Sequence, residues 1–239
     1  MKGTAMDDYA LMGLYADTLF TYDARGRMLY SNEPRLQERR PAPRLFLGRT
    51  RGGSVARFGA SMSDTLAQRL AEIVDRLPPP ADLGEPATPF TEIEELLKQD
   101  APIIKTEAGP VYHFPAAIRS QGEAIRLTEA NIAVVRDTYP SLLEEFRDWS
   151  PCFVALDHGR AVSICMSSRV TPDAEAAGVD TLPGFRGRGY AAAATAAWGA
   201  AIREAGRVPF YSTWWDNMAS QGVARRCGLI QFGADTSWS

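Results

Sequence analysis

Two histidines and three cysteines are all that this 239-residue chain offers of the side chains that most often ligate metals or act as nucleophiles. Cys152, Cys165 and Cys227 are too few and too scattered for a disulfide framework or a zinc cluster. Cys152 and Cys165 sit in apolar, strand-like runs and read as small core hydrophobes. His113 stands among Val111, Tyr112 and Phe114, and His158 stands in the turn Asp157-His158-Gly159. With no acidic partner pattern beside either, a hydrolytic triad or a metal site gains no support. No apolar run reaches the length of a membrane span; the longest apolar helix, expected over 191–202, is too short and too weakly hydrophobic. Asp7 and Asp8 stand ahead of a broken apolar pattern, unlike a secretory leader. An excess of positive charge is missing too. Lys and Arg number 26 against 29 Asp and Glu, and a net charge of −3 points to neither nucleic acid nor an anionic membrane as partner. These absences favour a cytoplasmic globular protein and leave a homodimer open.

What is present is an ordinary globular composition, 45% hydrophobic and 23% charged, with chain enough for one large or two small domains. Helical spacing of Leu11, Leu14, Tyr15 and Leu19 predicts a helix over 6–21, followed by a turn at 23–27 and a short strand at 28–31. Arg51-Gly52-Gly53 between two apolar runs, 45–50 and 54–58, predicts a hairpin. Ser63 is placed to cap a helix over 64–77, and a turn-rich connection over 78–86 leads to another helix at 91–99. Two extended pieces follow, 102–106 and 110–115. From Ala124 the pattern becomes that of a compact α/β unit: helices over 128–138 and 141–147, a hairpin of 153–156 and 160–168, then a central strand over 174–182. We therefore expect a general α/β region over 1–115 and a second unit over 120–239.

The most informative stretch runs from Val179 to Ala192. A buried strand ends at Leu182, Pro183-Gly184 stops it, and a basic Gly-rich turn then opens an Ala-rich helix that ends before Gly206. A glycine turn at a helix N-terminus holds anions, because the first N–H groups have no internal partner and the helix dipole is positive there. Gly187 and Gly189 let backbone approach a ligand closely, while Arg186 and Arg188 add charge. Gly187-Arg188-Gly189-Tyr190-Ala191-Ala192 fits the permissive dinucleotide fingerprint, and the strand expected next, over 208–215, ends near an acidic residue, Asp216. Only 23 residues remain after Asp216, too few to complete a doubly wound sheet, and no P-loop sequence occurs.

Arg186-x-x-Gly189-x-Ala191 resembles the [Q/R]-x-x-G-x-[G/A] signature of the GNAT superfamily of N-acetyltransferases. Asn217-x-x-Ser220, followed by Val223 to Leu229, resembles that family's asparagine-led helix ending in Gly and an apolar residue. The two motifs stand in the family's order, one helix and one strand apart, and the likeness covers roughly residues 124–235. It implies an α/β (α+β) fold, a mixed central sheet flanked by helices, with the N-terminal α/β region in addition. It implies acetyl-CoA as acyl donor, with the pyrophosphate on the backbone of Arg186, Gly187, Arg188, Gly189, Tyr190, Ala191 and Ala192. It further implies pairing of the pantetheine arm with the backbone of Val179, Asp180 and Thr181, and contacts from Asn217 and Ser220. The side chain of Asp180 has the opposite strand parity and reads as structural; Asn217 also reads as a helix cap, and Ser220 as bonding back to its helix. Glu175 shares parity with Ala177, Val179 and Thr181 and matches the strand glutamate that serves many members as base; a strand-end glutamate in solvent is the plainer alternative. Many members place a tyrosine seven residues after the asparagine as acid. Here that position is Ala224, so Tyr211 on the neighbouring strand, or solvent, is the expected substitute. Trp214 and Trp215 are candidates to wall an acceptor site or to pack a strand end. The resemblance thus implies direct transfer to an amine-bearing acceptor, taken as a small molecule; a non-catalytic acyl-CoA-binding module of the same fold is the alternative.

Overall fold

The computed structural model describes residues 6–35, 37, 39–83, 90–119 and 122–239. The turn expected over 84–86 lies outside them. The first half of the chain forms α1 (Asp8–Leu19), β1 (Phe20–Tyr22), β2 (Met28–Ser31), β3 (Leu45–Thr50), β4 (Gly53–Phe58), α2 (Asp64–Asp75), α3 (Thr91–Asp100) and β5 (Thr106–His113). The second half forms β6 (Ala124–Arg126), α4 (Leu142–Glu145), β7 (Phe153–Asp157), β8 (Arg160–Val170), β9 (Ala174–Thr181), α5 (Tyr190–Glu204), β10 (Val208–Ser212), α6 (Met218–Cys227) and β11 (Ile230–Trp238).

The cap expected at Ser63 is present, and α1 has a further one that was not expected. Ser63 accepts from the Leu66 N–H at 3.2 Å, and Asp7 caps α1 by accepting from Ala10 N–H at 2.8 Å. Several extents differ from expectation. The helix expected over 128–138 is a single 3-10 turn, Ile132–Val135, and its neighbour shrinks to four residues. Asn131 explains the first difference: its side chain accepts from Thr128 N–H and donates to Arg126 O, closing a local turn in place of a helix start. The two extended pieces around residue 108 are one strand, β5. Strand 208–215 ends at Ser212, because the chain then bends over β5.

Nine strands of the described residues form one sheet in the order β4-β3-β11-β5-β10-β9-β8-β7-β6. Among the described residues its neighbours are antiparallel except β9 and β10, which run parallel. The mixed central sheet flanked by helices that the resemblance implies is therefore present. One feature departs from a two-region reading: β5 lies between β10 and β11, and β3 pairs over its whole length with residues 233–238 of β11. The boundary expected near 115–120 does not separate two sheets.

Helices cover both faces. On one, α1 buries Met12, Tyr15 and Ala16 against Phe46, Phe210 and Phe232. The short turns of 132–146 pack on the same face of β7 and β8, over Val154 and Ile164. The other face carries α5, whose buried Trp198 meets Phe114, and also α2 and α3, which enclose Trp238. Each of the large apolar side chains among these contributes about 1.5–3 kcal/mol on burial. The small side chains of α5 (Ala192, Ala193, Ala194, Ala196) are all buried and bring its axis close to the sheet. Among the described residues no helix is long and apolar enough to cross a membrane.

Gly109 sets how the chain leaves β10. A Cβ built there would lie 1.7 Å from Thr213 O and 2.9 Å from Trp214 Cα, so the 213–214 backbone crosses β5 where only glycine leaves room. Thr213 N–H and Trp215 N–H donate to Pro110 O and Ala108 O on either side. Gly109→Val should destabilise the fold by about 3 kcal/mol or more, because the obstacle is backbone and cannot rotate away. Urea denaturation of the variant against the parent protein tests this.

Candidate active site

Parallel pairing of β9 with β10 is brief. Val208, Pro209 and Phe210 stand opposite Ala174, Glu175 and Ala176, and no pairing follows. From Ala177 onward β9 stays paired to β8, through Thr181 opposite Ser163, while Ser212 of β10 stays with Val111 of β5. The strands part, and the edge of β9 over 177–181 is left without a strand partner inside the sheet.

The gap is a cleft of about 390 Å³. Ala177 and Val179 form one wall, with Tyr211, Asn217 and Ser220 opposite on the α5 side of the sheet. Toward the α1 side it is lined by Tyr15, Glu107, Arg169 and Asp235, with Trp214 at the rim, 54% exposed. The cleft thus passes through the sheet and has two chemically different ends.

On the α5 side, residues expected from the sequence come together. Tyr211 Oη lies 2.7 Å from Ser220 Oγ, and Asn217 Oδ1 accepts from Ser220 N–H at 3.0 Å, capping α6. Burial pushes the Tyr211 phenol far above its ordinary value, so it keeps its proton throughout the physiological range. Ala224 is fully buried against α5 and supplies no hydroxyl.

The loop after β9 forms a 3-10 turn at Pro183–Phe185, then two left-handed glycines, Gly187 (φ 78°) and Gly189 (φ 96°), the second at the N-cap of α5. The first helical bond there is Ala193 N–H to Gly189 O, so the N–H groups of Tyr190, Ala191 and Ala192 lie outside the ladder. Arg226 donates to Gly187 O at 3.2 Å, and a Cβ on Gly189 would stand 3.3 Å from its guanidinium. Arg186 donates back to Thr181 O, whereas Arg188 stacks 5.4 Å over the Phe185 ring. Tyr190 fastens the loop by donating to Asp157 at 2.5 Å, and that bond holds its phenol above the usual range. Asp180 is exposed at its side chain, and its carbonyl accepts from Ser163.

Glu175 is placed elsewhere. It is 1% exposed beneath α5, ion-paired to Arg207 at 2.8 Å and hydrogen-bonded by Ser167, whose hydroxyl also accepts from Trp198 Nε1 at 3.0 Å. It does not line the cleft. The expectation of Glu175 as the base misjudged its surroundings: strand parity alone put it on the side of Ala177 and Val179, but at that depth the side is roofed by α5. Burial raises its pKa, and the Ser167 hydrogen bond and Arg207 oppose that rise.

Trp214 lines the cleft as one of the two expected walls, while Trp215 lines a smaller neighbouring pocket. Tyr15, Glu107, Arg169 and Asp235 were not found from sequence, since they come from four elements distant in the chain. The one local signal was a carboxylate inside the otherwise apolar and small-residue strand β11. Burial raises Asp235 from 3.8 to about 7, against the hydrogen bond it accepts from Tyr15 Oη at 3.2 Å. Tyr15 is itself raised by burial and by the Asp235 charge.

If Glu175 serves the interior, Arg207→Ala should destabilise the fold by about 2 kcal/mol, below a fully buried pair because Arg207 is partly exposed. Thermal or urea unfolding reads this directly; a loss under 0.5 kcal/mol would contradict a structural ion pair.

Residues 123–229 match the family model described as the acetyltransferase (GNAT) family. No curated protein matches the sequence. Solved structures similar to the chain include a GNAT-family structure from Novosphingobium aromaticivorans, 18% identical over 57% of this chain and 65% of that one, with a TM-score of 0.46. A GNAT-family acetyltransferase from Colwellia psychrerythraea is 12% identical over 62% and 61%, with a TM-score of 0.45. A GCN5-related N-acetyltransferase-like protein from Streptococcus suis is 16% identical over 84% and 85%, with a TM-score of 0.47. The chain therefore spans somewhat less than two thirds of the first two of these proteins. The match to the GNAT acetyltransferase family thus belongs to residues 123–229, which hold β9, the glycine loop and the asparagine-capped α6.

Proposed function

We propose that the protein is a cytoplasmic N-acetyltransferase that moves an acetyl group from acetyl-CoA to a primary amine on a small-molecule acceptor. The observation that carries this reading is the unpaired β9 edge leading straight into a helix N-terminus opened by two left-handed glycines. A strand edge offers a row of backbone donors and acceptors to an amide-bearing chain. The α5 N-terminus offers N–H groups to a pyrophosphate. These features fit the two ends of a coenzyme A arm. Val179, Asp180 and Thr181 would receive the pantetheine through their backbone, and Arg186 to Ala192 would receive the phosphates. Asn217 and Ser220 border the arm from α6. Three free, buried cysteines accord with a reducing compartment.

The transfer needs a neutral amine, a polarised thioester carbonyl and a proton for the departing thiolate. The Tyr211 hydroxyl lines the cleft beside Ser220, and this position suits it to pass a proton to the thiolate, through the Ser220 hydroxyl or directly. The reading requires no covalent intermediate. A second reading, an acyl-CoA-binding module without turnover, is favoured by the apolar Ala224 and by the engagement of the Tyr211 hydroxyl with Ser220.

Calorimetry with acetyl-CoA, using NADH as control, tests the reading first. We expect micromolar binding of acetyl-CoA alone. Gly189→Asp should weaken it about 100-fold, roughly 2.7 kcal/mol, by placing a Cβ and a negative charge at the phosphate position. Absence of acetyl-CoA binding would overturn the proposal; binding without thiol release over a broad amine panel would select the non-catalytic module.

A further inference from the structure

The end of the cleft on the α1 side has no assigned work, and its composition is unusual. Asp235 stands on β11 directly opposite Gly48 of β3 and Gly109 of β5. Neither neighbour has a side chain, so the carboxylate occupies a slot bordered by Met12, which lies over Gly48, and by the Thr213 backbone, which lies over Gly109. Tyr15, 2% exposed and wedged edge-on against Phe210 at 5.4 Å, donates its hydroxyl to Asp235 Oδ2 at 3.2 Å. The carboxylate is thereby held at the cleft wall by a tyrosine that cannot turn away.

Charge around the slot favours a cation. Glu107 lies on the same face of β5, two residues from Gly109, and lines the same cleft. Its ion pair with Lys105, at 2.9 Å, is an exposed pair of the kind that holds weakly. Arg169 is the cation among the cleft-lining residues, and it is already engaged. Glu33 takes it with two hydrogen bonds of 2.7 and 2.6 Å, and Ser168 O accepts from it as well. Arg49 and Asp82 line the smaller neighbouring pocket, together with Ala234, Asp235 and Thr236 of β11.

We propose that Asp235 receives the primary ammonium group of the acceptor at this end of the cleft and takes one proton from it, with Glu107 as the second carboxylate attracting the cation. The inference rests on the acetyltransferase reading and gives its acceptor a class: an amine that is cationic in solution and enters from the α1 side, opposite the glycine loop. Proton and bond changes balance as follows. R–NH3⁺ gives a proton to Asp235, and the amine lone pair forms the C–N bond at the thioester carbonyl. The C–S bond then breaks and sulfur leaves with its electron pair. The remaining excess proton on nitrogen passes to the thiolate, by way of Tyr211 or water, and Asp235 returns its proton to solvent. A carboxyl raised to about 7 suits this work, because it is ionised enough at neutral pH to accept and basic enough to draw the proton.

The sign of the pH dependence follows. Asp235 accepts a proton only when ionised, so kcat/KM should rise with pH through about 7 and level off above it. The test uses the full chain, acetyl-CoA, and tyramine and cadaverine as aromatic and aliphatic ammonium probes, with thiol release followed from pH 5 to 9. Asp235→Asn keeps the shape and the acceptor for Tyr15; it should lower kcat/KM by about 100-fold or more, abolish the limb near pH 7 and leave acetyl-CoA affinity unchanged. A second measurement does not depend on turnover: NMR of carboxyl-labelled aspartate, with the Asp235 signal identified by its loss in D235N. That signal should titrate near pH 7 and move when either amine is added. Titration near 4, a signal unmoved by both amines, or a D235N enzyme with the parent rate and profile would overturn the assignment while leaving the transferase reading intact. Failure of the parent protein to bind acetyl-CoA would instead overturn the transferase reading.

Discussion

β9 and β10 stop sharing hydrogen bonds after Ala176 and Phe210, and nearly everything this protein can offer a ligand depends on that parting. Each strand keeps its outer neighbour: β9 stays with β8 and β10 stays with β5. The unsatisfied edge is tolerable because it faces a cleft where water or a ligand can pair with it. Tyr211, the first residue of β10 past the parting, packs edge-on against Tyr112 at 6.3 Å, which holds β10 to β5. A sheet twisted in the ordinary way widens such a gap along its length.

The gap has two ends because helices cover both faces of the sheet. Toward α5 and α6 the chain supplies backbone N–H groups, two left-handed glycines and arginines, an environment for anions. Toward α1 it supplies Asp235, Glu107 and a tyrosine, with its one cleft-lining arginine held by Glu33. On the proposed function, the contrast would orient two substrates of opposite charge on opposite sides of one opening. It also explains the place of the N-terminal half. Met12, Tyr15, Gly48 and Gly109 all come from residues before 115, and each shapes the slot around Asp235. That half is part of the sheet and part of the candidate site.

Local chemistry was legible from the sequence. The caps at Ser63 and Asn217, the hairpin turn at Arg51-Gly52-Gly53, the Ala-rich α5 and the glycine loop at its start all follow from spacing and residue type, and all are present. The loop was readable because its work is done by backbone, and glycine is the residue that releases backbone from steric limits. The helix expected over 128–138 failed for an equally local reason, the competing turn built by Asn131.

What the sequence by itself determined, then, is the glycine loop at its helix, the capped α6 behind it and the family to which they point. Tertiary structure alone decided which carboxylate meets the cleft. Glu175 and Asp235 both sit on strands, and parity assigns each to a face of the sheet. Burial on that face depends on what lies above it: α5, Arg207 and Ser167 over the first, and a slot between two glycines over the second. The neighbours of Asp235 are residues 12, 15, 48, 109 and 213, separated from it by 22 to more than 200 positions. No periodicity within a strand encodes contacts of that range, since pairing across the sheet is set by which strands lie side by side and in what register.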